Sequence, residues 1–500
     1  MKSPRLYEVN AIQWLYGLSQ VYKKRFTIGD VPGAEWDRLH ELGFDYVWLM
    51  GIWKRSKMGL RIFRQGPEWP PFAKHLDSVL PGWKDEDVIG SPYSISAYEP
   101  DPLAGTWEEI KKARAELHKR GMGLILDFVP NHTAPDHKWV LEHPDYYFVA
   151  DRSADWSAFE QNTSLCSPVT KGNKTLYVAR GKDPNYPAWS DTAQLNYFNP
   201  ALRKAMVGEL KKIAGYCDGI RCDMAMLVIN DIFERDWSGP AKGMGAVWEK
   251  PGAEFWEQAR AAVPGLILMA EAYWDTEWRL TEMGFDYVYD KTLYERLRYA
   301  SARDIKLHLG ADAGYQKKLV RFIENHDEPR SAEAMGPDRL RAAAILFSTL
   351  PGMKLYYHGQ LEGRRIKLPV QLGRDVTEGP VKELENFYER LLSITGQDVF
   401  HTGQWRLKDV FPFADGSYQN LIAYTWKSAS RLKLVVVNFD GGSSQGRIPL
   451  GGELDSGKDY RLTDELNGRE YERRGADMSF EGLQVILGGY QAHIFDMVSA

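Results

Sequence analysis

Four acidic residues close apolar runs in this chain: Asp127 in Gly123-Leu124-Ile125-Leu126-Asp127, Asp223 in Asp218-Gly219-Ile220-Arg221-Cys222-Asp223, Glu271 after Leu266-Ile267-Leu268-Met269-Ala270, and Asp327 after Leu319-Val320-Arg321-Phe322-Ile323-Glu324-Asn325-His326. Side chains alternate along a strand, so Arg221 and Asp223 share one face and Ile220 and Cys222 the other. A guanidinium beside a carboxyl lowers its pKa, and a positioned, ionised aspartate is what a carboxylate nucleophile requires. Glu271 ends a very apolar run, where desolvation favours the protonated form. Clustered carboxylates spread their pKa values, one staying ionised while another holds its proton. Glycoside hydrolysis uses that division, with a nucleophile and a general acid flanking the anomeric carbon. Asp223 is then the expected anion and Glu271 the expected acid.

These residues converge only if the strands that carry them stand side by side. A repeated strand–helix rhythm supplies that arrangement. Leu6–Leu15 and Phe44–Met50 read as strands around a helix at Ala34–Leu42, and a helix at Gly105–Arg120 leads to a strand at Gly123–His132. The rhythm resumes with helix Pro200–Gly215, strand Asp218–Asp223, helix Gly252–Ala262, and strands Leu266–Ala270, Phe285–Tyr289 and Leu319–Ile323. Helix Arg339–Leu350, strand Met353–Tyr357 and helix Lys382–Ile394 complete it. Eight strands, most followed by a helix, predict an α/β fold of the (β/α)8 TIM-barrel type. Active sites of that fold lie at the C-terminal strand ends, so all four carboxylates face one mouth.

The rhythm breaks in two places. Lys54–Gly90 has no clear period and is expected to be a long loop, with Lys54, Arg55, Lys57, Arg61 and Arg64 as a solvated basic surface. Thr133 to Asn196 is too long for one loop and predicts an inserted B domain after the third strand. Past residue 400 the strands Leu421–Trp426, Lys433–Asn438, Tyr460–Thr463 and Gln484–Phe495 are separated by Gly-, Asp- and Ser-rich turns. They predict a C-terminal antiparallel β-sandwich domain. The expected domains are therefore the barrel over 1–132 and 197–400, the insertion over 133–196, and the β domain over 401–500.

A net charge of −5, with basic residues spread along the chain, argues against nucleic acid as a partner. No run approaches the ~20 apolar residues of a membrane span. Met1-Lys2-Ser3-Pro4-Arg5 leads to Trp14 without a signal-peptide apolar core, so a natural start at Met1 predicts a cytoplasmic protein. The three cysteines, Cys166, Cys217 and Cys222, lack zinc-site spacing and are expected to be reduced core thiols. The 17 Trp and 26 Tyr suit core packing and stacking on sugar faces alike.

Asp127-Phe128-Val129-Pro130-Asn131-His132, Gly219-Ile220-Arg221-Cys222-Asp223, Glu271 after its strand, and Asn325-His326-Asp327 occur in that order. As an ordered set they resemble the α-amylase superfamily, glycoside hydrolase family 13, over nearly the whole chain. The resemblance implies that Asp223 is the nucleophile and Glu271 the acid/base. It makes Asp327 the third acid, which binds sugar hydroxyls and favours the distorted ring of the transition state. Arg221, His132 and His326 match residues that orient the nucleophile and hold the reacting sugar. Tyr93, in Gly90-Ser91-Pro92-Tyr93-Ser94, resembles the aromatic platform beneath that sugar. Asp127 is expected to be a structural partner of Arg221. The implied activity is that of a retaining α-glycosidase acting on α-linked gluco-oligosaccharides through a covalent glycosyl-enzyme intermediate. The alternative within the same superfamily is glucosyl or maltosyl transfer, phosphorolysis or isomerisation.

Three departures qualify the resemblance. Calcium-dependent members carry Lys-His shortly after the nucleophile, where this chain has Met226 and Leu227. Asn131, the usual side-chain ligand, is present, but Gln194 in Thr192-Ala193-Gln194-Leu195-Asn196 stands where an Asp is frequent. Gly90 stands where relatives specialised for short α-1,6 substrates often have Asp. No cofactor is expected; structural calcium is compatible with the chain but is not expected at its usual site.

Overall fold

The computed structural model describes residues 3–150, 166–171, 174–243, 246 and 248–499. Eight parallel strands close into a barrel in chain order. They are β1 (Arg5–Asn10), β2 (Tyr46–Met50), β3 (Gly123–Phe128), β4 (Gly219–Cys222), β5 (Ile267–Ala270), β6 (Tyr287–Tyr289), β7 (Leu319–Arg321) and β8 (Met353–Tyr357). β8 pairs back onto β1 with Leu355 opposite Leu6, which closes the ring. Alternation sorts the strand side chains. Leu6, Trp48, Ile125, Met269, Tyr289 and Leu355 pack in the interior, while Val47, Leu124, Ile220, Cys222 and Leu268 join the cluster beneath the helices. Helices such as Trp107–His118 and Pro200–Ala214 are started by side-chain caps: Thr106 accepts the Glu109 N–H and Asn199 that of Ala201.

Several elements differ from the sequence expectation. β1 stops at Asn10, not Leu15, because Asn10 caps a helix over Ala11–Tyr22 by accepting the Gln13 N–H at 3.4 Å. The Lys54–Gly90 stretch is not a loop but carries helices Lys57–Gln65 and Trp69–Val79. Their period is short and interrupted by prolines, and their apolar side faces a small core of its own, with Leu76, Leu80 and Val88 against Leu368 and Leu372. Arg55 is buried rather than solvated and lies 3.5 Å from Asp101. A helix over Asn230–Gly243 was hidden by its internal Pro240.

In the inserted segment, Cys166–Lys171, Lys174–Ala179 and Val149–Ala150 form a three-stranded sheet. A short antiparallel pair, His132–Thr133 with Ala193–Gln194, ties this segment to the end of β3. The C-terminal β domain sets a six-stranded sheet against the pair Ser444–Ile448 and Leu483–Leu487. Leu434, Leu462, Val485 and Phe495 fill the space between them. The expected strand Gln484–Phe495 is two strands, Leu483–Leu487 and Ala492–Ser499, broken at Gly488-Gly489-Tyr490, where Tyr490 has φ 55. Cys217 and Cys222 are buried free thiols, and the side chain of Cys166 lies outside the described residues. Among the described residues, no helix is long and apolar enough to cross a membrane.

Candidate active site

Register brings the chemistry together. β4 lies between β3 and β5, with Arg221 opposite Asp127 on one side and Met269 on the other. Arg221 is fully buried in the barrel mouth, and its guanidinium carbon sits 5.3, 5.5 and 5.5 Å from the rings of Trp48, Tyr93 and Tyr289. Aromatic faces and carboxylates are what a desolvated guanidinium needs. Nη1 lies 2.5 Å from Asp223 Oδ1, Nη2 2.9 Å from Glu271 Oε2, and Asp327 Oδ2 4.0 Å away. One cation therefore bridges the two residues expected to divide the work of nucleophile and acid.

Arg221 was expected to hold Asp223 ionised. Burial, and then the charge of Glu271, outweigh Arg221 and push the Asp223 carboxyl up to about 8. Glu271 receives two further donors: the Met224 N–H at 2.6 Å on Oε2 and the Tyr273 hydroxyl at 2.7 Å on Oε1. Without substrate, burial and the neighbouring Glu271 favour the protonated form of Asp223.

Asp327 has the opposite environment. Burial would raise its pKa, but His326, then Arg221 and Lys367, hold it well below the usual carboxylate range. Its side chain is 45% exposed to the cleft, so it is an anion facing the substrate space. His326 Nε2 lies 3.0 Å from Asp327 Oδ2 and 2.7 Å from the Tyr93 hydroxyl. His326 Nδ1 meets Glu8 on β1 at 2.5 Å. Burial would lower His326, but the charges of Asp327 and Glu8 push it up to about 10, so it is an imidazolium at neutral pH. Tyr93 stacks on His326 with ring centroids 5.5 Å apart.

Asp127 and His132 have distinct places. Asp127 is buried beneath the mouth, accepting from the Trp48 indole at 3.1 Å and the Gly51 N–H at 2.8 Å. It touches Arg221 through its field rather than through a direct ion pair, and burial raises it to about 6. His132 lines the cleft beside Trp189, with centroids 5.1 Å apart, and burial pushes it down to about 4, so it is neutral.

Asn131 does not present a cation cage. Its carbonyl, its side-chain oxygen and the Leu195 carbonyl all accept from the single amide nitrogen Gln194 Nε2, at 2.9, 3.0 and 3.1 Å. That nitrogen takes the place a metal would need. The three oxygens are uncharged, whereas calcium seeks six to eight oxygens with carboxylates among them. Met226 and Leu227 are buried apolar residues of a short turn. Among the described residues there is no group of three or more His, Cys, Asp and Glu placed for a metal. Among the described residues, the oxygens around Asn131 do not fit structural calcium at its usual site.

A cleft of about 910 Å³ opens above these groups, lined by Tyr93, His132, Asp223, Glu271 and Asp327. Phe63, from the first unexpected helix, and Glu68, just ahead of the second, form part of its wall together with Val370 and Gln371. Sequence reasoning missed Glu8, Tyr273 and Met224. Glu8 left a signal, being a lone acid in the apolar run Leu6-Tyr7-Glu8-Val9 on the same strand face as Leu6. Met224 left none, because its role rests on a backbone N–H in a left-handed residue, φ 42.

The family model for the alpha-amylase catalytic domain matches residues 20–367. Alpha-amylase 3 of Dictyoglomus thermophilum is 24% identical over 298 residues, 56% of this chain and 54% of that protein. An oligo-1,6-glucosidase of Parageobacillus thermoglucosidasius is 23% identical over 442 residues, 76% of this chain and 70% of that protein. The chain spans about half the length of the first amylase relatives it matches. A maltogenic α-amylase from Thermotoga neapolitana shares the fold with a TM-score of 0.69 at 21% identity, over 99% of this chain and 98% of that one.

Proposed function

The chain belongs to the α-amylase family, and from that premise we propose that it is a retaining α-glycosidase acting on α-linked gluco-oligosaccharides. The observation that carries the proposal is the single buried guanidinium of Arg221 joining Asp223 and Glu271 at the mouth of the barrel. It supports a pair of carboxyls close enough to serve one anomeric carbon from adjacent strands, which run about 4.8 Å apart.

The chemistry follows from the proton inventory. In glycosylation Glu271 gives its proton to the glycosidic oxygen while Asp223 attacks the anomeric carbon, forming a covalent glycosyl-enzyme. That step needs the proton on Glu271 and the charge on Asp223. Positive charge developing on the sugar favours the Asp223 anion. In the second half Glu271 takes a proton from water, which then displaces Asp223. Asp327, braced by the buried His326 imidazolium, holds sugar hydroxyls, Tyr93 provides a ring beneath the sugar, and neutral His132 donates from the insertion side. We propose that no structural calcium occupies the usual site, in view of the Gln194 amide.

Product chromatography on maltooligosaccharides, isomaltose, trehalose and sucrose tests the proposal. Release of glucose or maltose units from at least one α-linked glucan is expected. Absence of turnover on all of them, by folded protein, would overturn it.

A further inference from the structure

A second cavity, of about 820 Å³, shares no lining residue with the catalytic cleft. It lies between the barrel helix Ala302–Leu309 and the end of strand Gln404–Lys408, where the chain enters the β domain. Arg296, Arg303, Lys306 and Lys408 line it against a single carboxylate, Asp409. The whole chain carries a net charge of −5, so this positive surplus is local.

Cations gathered around one cavity repel, and carboxylates in contact normally offset them. Among the described residues, Arg296, Arg303 and Lys306 form no ion pair. Arg296 Nη1 donates to the Asp304 carbonyl at 2.7 Å and Lys306 Nζ to the Gln419 carbonyl at 2.8 Å, contacts that hold the two heads without cancelling their charge. The Asp304 carboxyl is engaged by Ser301, accepting its N–H at 3.2 Å and its hydroxyl at 2.7 Å. Lys408 Nζ stands 3.9 Å from Glu453, a carboxylate it shares with Arg406 at 3.3 Å and Lys427 at 3.7 Å. Burial lowers the pKa of Lys306, and Asp409 opposes that only in part. An anion in the cavity would supply the acceptor oxygens and the charge that these groups lack.

The lining also selects the anion. A carboxylate brings one negative charge and two oxygens, which one arginine satisfies. A phosphate ester brings about −1.5 to −2 near pH 7 and three free oxygens, enough for a guanidinium and two ammonium heads. The cavity is larger than a bare ion needs and falls in the range of sites for small organic molecules, roughly 300–1,000 Å³. Leu307, which is 67% exposed, and Val410, from the β-domain side, offer apolar surface to the rest of such a molecule. We propose that this cavity binds a small organic phosphate, with the phosphate group among Arg303, Lys306 and Lys408 and the body against Leu307. The ligand touches the barrel helix and the β domain at once, so its binding favours the folded state of both. The inference does not depend on the glycosidase reading of the catalytic site.

Isothermal titration with glucose 6-phosphate, adenosine monophosphate and inorganic phosphate, at one ionic strength set with sodium chloride, tests the proposal. At least one of the two organic phosphates should bind with a Kd below about 1 mM, about tenfold or more tighter than inorganic phosphate, and should raise the melting temperature. The tighter of the two tells a sugar phosphate from a nucleotide. Arg303→Gln and Lys306→Met each remove one charge-assisted contact and should weaken that binding about tenfold, while activity on maltotriose stays at the wild-type level. Failure of all three probes to bind would overturn the proposal. Affinity unchanged in both variants would put the ligand elsewhere and overturn it too. So would inorganic phosphate binding as tightly as the esters, which would reduce the cavity to a patch for adventitious anions. Arg303 is exposed and forms no hydrogen bond or ion pair among the described residues, so Arg303→Gln decides alone if Lys306→Met fails to fold.

Discussion

Replacing Glu8 by glutamine removes one of the two carboxylates that keep His326 charged, at nearly constant volume. Both side chains are fully buried, and Nδ1 lies 2.5 Å from Glu8 Oε1. Hydrogen bonds to a charged group contribute about 1.5–3 kcal/mol, and one pKa unit is about 1.4 kcal/mol. The loss of Glu8 should therefore move the His326 titration down from about 10 by about 1–2 pH units. The sign of the stability effect is fixed. His326 stands at 6.5 unfolded and about 10 folded, so its stabilising contribution is complete below about 6.5 and is lost as pH rises through 10. Glu8→Gln should then melt lower than wild type by about 2 kcal/mol at pH 6, with the difference shrinking toward pH 10. The alkaline limb of kcat/KM should move to lower pH in the same variant, because Asp327 loses its charged brace earlier. Thermal melts and pH–rate profiles from pH 5 to 10 check both. A melting difference that is flat with pH, or that grows toward pH 10, would refute the assignment of the charge to His326.

Asp223→Asn should abolish nearly all turnover while leaving the protein folded. Burial and Glu271 push Asp223 up to about 8, so ionising it costs stability as pH rises from about 4 to 8, and the variant should melt at or above wild type at pH 8. Steady-state rates and melts check this, and wild-type rates would show the site to be misassigned. Glu271→Gln should impair unactivated maltooligosaccharides far more than activated aryl glycosides, which need less protonation of the leaving group. Chelator should leave the wild-type melting temperature unchanged, whereas Gln194→Glu should introduce a calcium-dependent rise, since it puts a carboxylate among the three oxygens that the amide now serves. A chelator-sensitive wild type would contradict the reading of Gln194.

Much of the barrel was legible because its strands are apolar runs ending in charged residues, a pattern that repeats for Asp127, Asp223 and Glu271. Their convergence follows from strand order alone. What was not legible depends on tertiary context. Arg221 and Asp223 sit two residues apart, which suggested an ordinary ion pair. The structure adds burial and Glu271 on the same guanidinium, and these reverse the direction of the Asp223 shift. Helices Lys57–Gln65 and Trp69–Val79 were hidden because their apolar residues face a local core with Leu368 and Leu372, far along the chain. Gln194 was visible as a departure, but that its amide donates to three oxygens depends on the pairing of Ala193–Gln194 with His132–Thr133.

In the proposed reaction Asp223 forms a covalent intermediate while Glu271 serves first as acid and then as base. Two displacements at one carbon restore its configuration. Proton NMR of the products in the first minutes of maltooligosaccharide hydrolysis, before mutarotation, reads that configuration directly. The α-anomer should appear first. Early β-anomer would contradict the assigned nucleophile and the account built on it.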